Sequence, residues 1–507
     1  MSDRCRFVVL FSFTKKKVIN MAGLGVSVRG RIPTSPLATG LLAFATFFLS
    51  MGASALPAFN QQTGQNCVAC HAGGQFPELT QYGRLFKLTG YTIGERARPV
   101  SVMGVVSANK TKNTGSPDPA FDSRANFPKD GNLIFQTGSL FLAGKINDNL
   151  GGFVQVTYNN YDAQSPSDSH WTGHTTSDNL DIRYVERFVE PGSDLIVGAM
   201  VNNNPTVQDV WNSVPAWGYN VVPGSTGPAI TPLIAGGLAQ NVAGAGVYAY
   251  WNKTLYAELS AYRTANGFWS WMSQGFSVAQ GTQQIVKGAN PYWRLALTRD
   301  YGPHNLMLGT FGMIAKVYPD AAVPTGETSR YRDIGVDTQY QYILDPHAVT
   351  FAASYIHERV NYASSLANQI NPFDADGSLG LPLSNASDTL KMFRAKASYV
   401  YHAKYGGSLS YFDVSGSTNS ALKTSAPDPA NPGQLLDGSQ GVLGNLSGNP
   451  ATRGWTSEVF WTPVQYARIG LQYTMFNKFN GASNNYDGFG RNAKDNNTVF
   501  LYVWGAY

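Results

Sequence analysis

The chain has 507 residues, 53 of them Gly, with 13% aromatic and 14% charged side chains, a strand-and-turn composition long enough for two ordinary domains or one large all-β body. Its formal charge is +5, but residues 1–55 hold seven of the 37 basic residues (Arg4, Arg6, Lys15, Lys16, Lys17, Arg29, Arg31) and one of the 32 acidic ones (Asp3), leaving 30 basic against 31 acidic. The remainder is not basic, so nucleic acid loses its main electrostatic attraction and is not expected as a partner.

Residues 1–55 read as a signal peptide: Arg29 and Arg31, an apolar run from Leu37 to about Met51, then Ala53-Ser54-Ala55 as a small-residue cleavage site. The basic stretch before Met21 is long for a signal and makes Met21 an alternative start. The apolar run falls short of the ~20 residues a spanning helix needs. Cleavage before Leu56 removes Cys5 and leaves Cys67 and Cys70.

Residues 56–99 are organised by Cys67-Val68-Ala69-Cys70-His71. Two thiols three apart followed by an imidazole is the attachment pattern of a c-type haem, because both cysteines must reach the vinyl groups of one porphyrin while the histidine ligates iron. A structural zinc site needs four ligands and would borrow from distant histidines. A redox dithiol belongs on a βαβ unit, which this segment lacks. One haem c, covalently held by Cys67 and Cys70 and ligated by His71, is therefore expected. Beyond the motif, Pro77 suits the first position of a short helix, Leu79, Tyr82 and Phe86 share a face, and Gly90 closes it. So short a segment needs a staple, and haem supplies one.

Residues 100–507 change to period two. Leu255, Ala257, Leu259 and Ala261 alternate with Tyr256, Glu258, Ser260 and Tyr262, as do Ala467, Ile469, Leu471, Tyr473 and Met475 with Arg468, Gln472 and Thr474. Strands are expected near 100–111, 133–146, 150–160, 179–190, 193–202, 241–251, 253–263, 290–301, 303–316, 331–344, 347–360, 388–402, 405–415, 453–461, 464–477 and 496–507. Tight turns at Asn147–Asn149, Pro191-Gly192, Asn252, Gly302, Asp345-Pro346, Ala403-Lys404 and Thr462-Pro463 alternate with long Gly/Asn/Ser/Pro-rich loops. That rhythm is the mark of an outer-membrane barrel, short turns periplasmic and long loops outside, whereas Greek-key connections of a sandwich would break it. The fold class expected is all-β, a sixteen-stranded antiparallel outer-membrane β-barrel with a small N-terminal α-helical monohaem cytochrome c segment. Tyr250, Trp251, Tyr292, Trp293, Tyr401 and Tyr466 at strand ends suit interfacial girdles. A barrel of this size leaves an aqueous lumen, and an even strand count puts the haem segment on the periplasmic side, below the barrel or inside it.

Six histidines remain for the iron's other axial position: His170 and His174 in a long loop, His304, His347 and His402 beside short turns, and His357. Met103 is the stronger candidate metal ligand, as the first Met after the motif and on the side of strand one that carries Ser101, Ser107 and Asn109. The bland alternative is a lumenal or core Met with no metal bond. Arg183, Arg187, Arg294, Arg394, Lys396 and Arg468 lie on polar strand faces, where they either pair with haem propionates or simply charge the lumen.

Cys67–His71, followed by Phe76-Pro77-Glu78-Leu79, Tyr82-Gly83-Arg84-Leu85-Phe86-Lys87 and Gly90-Tyr91, resembles the fused monohaem cytochrome–porin family of outer-membrane iron oxidases. Asn204-Pro205-Thr206-Val207-Gln208-Asp209, Trp211-Asn212 and Pro215-Ala216-Trp217-Gly218 resemble that family's long-loop motif. The resemblance implies an oxidoreductase of the outer membrane, in contact with its lipid, in which extracellular Fe(II) gives an electron to the haem and a periplasmic cytochrome or copper protein accepts it. It places Cys67, Cys70 and His71 at the haem and Met103 in the position of a first-strand Met, and it transfers no iron-binding residue. The stretch before Met21 departs from the family pattern. Two rival readings stand beside it, a haem-plugged channel for solutes and a haem redox sensor.

Overall fold

Period-two alternation from Val100 onward becomes sixteen antiparallel strands. The computed structural model describes residues 57–74, 78–114, 129–164, 171–215, 227–228, 230–275, 284–364, 385–423, 445–488 and 490–507. The strands are β1 (Val100–Thr111), β2 (Leu133–Lys145), β3 (Leu150–Gln164), β4 (Trp171–Glu190), β5 (Ser193–Asn202), β6 (Val242–Trp251), β7 (Leu255–Thr264) and β8 (Asn290–Tyr301), followed by β9 (His304–Val317), β10 (Ser329–Leu344), β11 (His347–Asn361), β12 (Ser387–Tyr401), β13 (Tyr405–Gly416), β14 (Thr452–Val464), β15 (Ala467–Lys478) and β16 (Thr498–Ala506). Each pairs with its neighbours in sequence, and β1 closes on β16 with Met103 opposite Ala506 and Thr111 opposite Thr498. The sheet is a closed barrel without an edge.

Its two faces differ as the alternation requires. On β7 the inward Tyr256, Glu258, Ser260 and Tyr262 are buried, while the outward Leu259 is 59% exposed; on β14 the outward Val459 is 62% exposed. A closed wall with an apolar exterior and its strands paired all the way round is what a bilayer demands of strands. The chain is an outer-membrane barrel, and its short turns mark the periplasmic end.

Four local expectations are corrected. β4 begins at Trp171 rather than 179, because Thr172–Thr176, loop-like in composition, pair with β3 as far as Gln164 opposite Trp171. Partner strands override weak propensity there, so His174 lies exposed on a strand and not in a loop. Thr462-Pro463 belongs to β14, where the register with β15 shifts between Trp461 and Val464; a bulge tolerates the missing N–H of Pro463, and the turn falls at Gln465-Tyr466. Tyr292 is buried in the lumen beside Tyr262, and the Tyr250 hydroxyl donates inward to the Lys253 carbonyl, so neither forms a girdle. Trp251 and Tyr401 do face outward.

The N-terminal segment supplies α1 (Pro57–Thr63), α2 (Cys67–Cys70) and α3 (Gln81–Leu88). The helix expected after Pro77 starts later, at Gln81, because Thr80 caps it: its hydroxyl accepts from the Gly83 N–H at 3.1 Å. Leu79 is not on that helix but pairs with His71 in a single β-bridge. Gly90 ends the helix with φ of 70°, as expected. The expected signal peptide with Met21 and Leu56, Phe76-Pro77, His170 and Ala216-Trp217-Gly218 lie outside the described residues.

The segment folds up into the lumen. Arg84 Nη1 donates to Gln341 Oε1 at 2.8 Å and Nη2 to Asn305 Oδ1 at 2.7 Å, both on the inner wall. Tyr91 donates its hydroxyl to Asp181 at 2.6 Å, and Tyr248 donates to the Leu88 carbonyl at 2.7 Å. The chain after β5 also turns inward, and Arg183 holds it by donating to the Gln208 carbonyl at 2.7 Å.

Candidate functional site

The site begins with the contact between α2 and α3. Thr80 N–H donates to the Cys70 carbonyl at 2.9 Å, bringing α3 so close that a Cβ on Gly83 would sit 2.1 Å from the Cys70 oxygen. Only Gly fits this crossing. His71 follows as the cap of α2, with its N–H donating to the Cys67 carbonyl at 2.9 Å.

Cys67, Cys70 and His71 line one cavity, and Met103 of β1 lines the same cavity. Its surface is largely apolar, with five aromatic rings in the lining. Phe59 stacks on Tyr91 with centroids 5.4 Å apart, Phe86 meets both rings edge-on, and Phe141 and Phe153 come from β2 and β3. The cavity lies toward the periplasmic end: Cys67 N–H reaches Gln465 Oε1, in the β14–β15 turn, at 3.4 Å.

Burial controls the chemistry of these groups. Burial pushes the His71 imidazole down to about 4, against the opposing pull of Glu78, so the ring is neutral at physiological pH. Its Nδ1 is buried and has no hydrogen-bond partner among the described residues. Burial, helped by Cys67, pushes the Cys70 thiol up to about 11, and the two cysteines form no disulfide. Two unbridged thiols, a neutral imidazole with an orphaned nitrogen and a thioether around one aromatic cavity fit a covalently attached haem. Among the described residues no set of three or more His, Cys, Asp or Glu side chains converges as a metal site, Cys67, Cys70 and His71 included.

Four residues hold this cavity in place that the sequence reading did not single out for that role. Burial lowers the Lys87 ammonium to about 8, although Asp181 pulls it back up; it donates to the Val207 carbonyl at 2.5 Å and the Asp209 carbonyl at 3.2 Å. Burial likewise brings Arg84 down to about 10. The Tyr91 hydroxyl is pushed well up by burial and then by Asp181. Burial raises the Glu78 carboxyl, but the charge and hydrogen bond of Lys396 outweigh it and leave the group below its ordinary value. The available signal was polar residues embedded among apolar ones in Tyr82–Lys87, which needs the lumen to interpret.

The lumenal cations divide by partner. Arg183 pairs with Asp181 at 2.8 Å, Arg294 with Asp337 at 2.6 Å, Arg468 with Glu458 at 2.8 Å, and Arg187 with Asp194 at 2.7 Å. Lys396 pairs with Glu78 of the segment. These five neutralise carboxylates of the chain itself, so propionates are not needed to explain them. His304 and His347 meet the Tyr340 and Tyr399 hydroxyls at 2.8 Å, away from the cavity.

No family model matches the chain, and no curated protein matches it. Among solved structures it is similar to the outer-membrane channel DcaP of Acinetobacter baumannii, with 14% identity and a TM-score of 0.42 over 80% of this chain and 96% of that one. It is similar to Salmonella typhi OmpF, solved with daunomycin, at 11% identity and 0.41 over 80% and 97%. OmpT of Vibrio cholerae gives 9% identity and 0.37 over the same shares. At these identities and scores, likeness carries nothing about this chain's activity.

Proposed function

We propose that the chain is an outer-membrane oxidoreductase that carries one covalent haem c in its lumen, takes electrons from extracellular Fe(II) and passes them to a periplasmic cytochrome or copper protein. The observation that carries this reading is the meeting of Cys67, Cys70, His71 and Met103 at one aromatic cavity inside a membrane-spanning wall. Cys67 and Cys70 would hold the haem through thioether bonds, and His71 and Met103 would ligate its iron. When bound, the haem supplies one-electron redox chemistry at a potential set by its ligands and burial.

The chain's own residues do the rest. Phe59, Phe86, Phe141 and Phe153 exclude water from the cavity, Gly83 lets α3 close over α2, and Arg84, Lys87 and Tyr91 fasten the segment to the wall. Val68, between the two thiols, is 46% exposed near the periplasmic mouth, a suitable approach for a soluble acceptor. Fe(II) as donor rests on the resemblance of the Cys67–Tyr91 and Asn204–Asp209 stretches.

The test is the visible spectrum of the purified, fully matured protein before and after Fe(II). The reading expects an oxidised c-type spectrum that becomes reduced on adding Fe(II). Failure of Fe(II) to reduce a haem that dithionite does reduce would remove iron as donor and leave the haem site standing. A second reading, a solute channel beside the haem segment, is favoured by the polar chamber in the lumen. Liposome swelling with 400-Da-scale and smaller solutes distinguishes it, since a closed conduit admits none of them.

A further inference from the structure

We infer that the lumen contains a binding site for a small anion, an oxyanion or a carboxylate, centred on the Arg394 guanidinium. The site is the chamber lined by the inner faces of β10–β15, the inward chain at Trp211–Pro215, and Glu78. Three cations line it, and two are already matched: Lys396 by Glu78 and Arg468 by Glu458. Arg394 has no ion pair or hydrogen bond among the described residues.

The strand register explains why. Opposite Arg394 stand Ser354 on β11 and Phe412 on β13, neither of them an acid. The inward residues diagonal to it are Ala352, Ile356, Ser410 and Val414, which bring no carboxylate either. A half-buried guanidinium left without a counter-charge is unfavourable, and its planar fork matches a carboxylate or phosphate edge in a two-point contact. The Ser354 and Ser410 hydroxyls flank it as further donors. With the acids and bases of the lining counted together, the chamber holds one positive charge in excess, from Arg394.

The position is also specific. Arg394 lies two residues beyond Lys396, farther from the Tyr401–Tyr405 turn, and Lys396 is where the N-terminal segment ends its contact through Glu78. The anion site therefore sits above the segment, on the side of the long loops. It holds whether the lumen passes electrons or solutes, since it depends on neither.

The experiment is calorimetric titration of the full-length protein in detergent with inorganic phosphate and, separately, citrate. Saturable binding of either anion is expected, with phosphate alone marking an oxyanion site and citrate alone a carboxylate site. Arg394→Gln should weaken it by about tenfold or more, equivalent to ~1.4 kcal/mol. Arg394→Lys should retain part of it, and Arg330→Gln, on an exposed position of β10, should leave it unchanged. Heat-modified gel migration checks that each variant is a folded barrel. Absence of saturable binding in the unaltered protein up to about 10 mM, or undiminished binding in a folded Arg394→Gln protein, overturns the assignment. The titration of the unaltered protein decides the matter even if Arg394→Gln fails to fold.

Discussion

Two compartments share one lumen, and they are built from opposite materials. On the side of β1–β3 the wall contributes Met103, Phe141, Ala143 and Phe153, and the N-terminal segment answers with Phe59, Phe86 and Tyr91 around the two thiols and His71. On the side of β10–β15 the wall contributes Gln339, Ser354, Arg394, Ser410 and Gln472. Every one of the wall side chains occupies the same structural place, the inward face of a barrel strand. The difference teaches that the barrel dictates only direction; the wall turns apolar where a folded segment must dry a cavity and stays polar where it faces water or solute.

The strongest way to break the contrast is to remove the two thiols proposed to hold haem in the apolar compartment. Replacing both Cys67 and Cys70 with Ala should abolish covalent haem, read by loss of haem staining in a denaturing gel. The barrel should still form, because its closure between β1 and β16 involves neither residue. Loss of the barrel along with the haem would mean that the two compartments do not fold separately.

A smaller effect is expected where the segment packs on itself. Gly83→Ala places a methyl 2.1 Å from the Cys70 carbonyl, and backbone overlap of that kind costs typically ~1–3 kcal/mol. Haem content should fall and the segment should exchange amide hydrogens faster, while the amides of β10–β15 remain unchanged. Equal acceleration in both regions would erase the distinction drawn between them.

Smaller still in stability is Met103→Ala, which removes a lumenal thioether without touching α2 or α3. If Met103 ligates the iron, the oxidised spectrum should change in spin state and the potential should shift, while haem content is kept. An unchanged low-spin spectrum would make Met103 a wall residue like Phe141.

Much of this arrangement is legible in the sequence, and the reason is periodicity. Alternation and turn residues place all sixteen strands, most within two residues of their observed ends. The errors fall where pairing outweighs composition, at Thr172–Thr176, and where a bulge hides a proline, at Pro463. The Cys67–His71 motif and Met103 also emerge from local cues, and they meet at one cavity. The lumenal network does not: Arg84 bonds Asn305, Gln339 and Gln341, more than 200 residues away. No local pattern reports such partners, because they are chosen by which inward faces the closed barrel brings opposite the segment. For the same reason Arg394 and Arg294 look alike in sequence and differ only once their cross-strand neighbours are known.

Glu78 belongs to both compartments, rising from the haem segment to meet Lys396 at the edge of the chamber. Its carboxyl lies below the ordinary value when folded, so the folded state holds its proton less tightly than the unfolded chain does. Between those two values the unfolded chain binds more protons, and stability rises with pH. The contribution is thus fully present above the ordinary carboxyl value of 4.5 and is lost as pH falls through the lowered one. Lys396 is one-third exposed, which screens the pair and limits its worth to about 1 kcal/mol or less. Acid below about pH 4 should therefore loosen the segment slightly before the barrel changes, read as faster amide exchange in α3. Glu78→Gln should weaken docking at neutral pH and flatten that acid dependence. If the acid response persists undiminished in Glu78→Gln, the tether between the two compartments lies elsewhere in the segment, with the Asp181 contact of Tyr91 and the Asp300 contact of Gln81 as further carboxylate links.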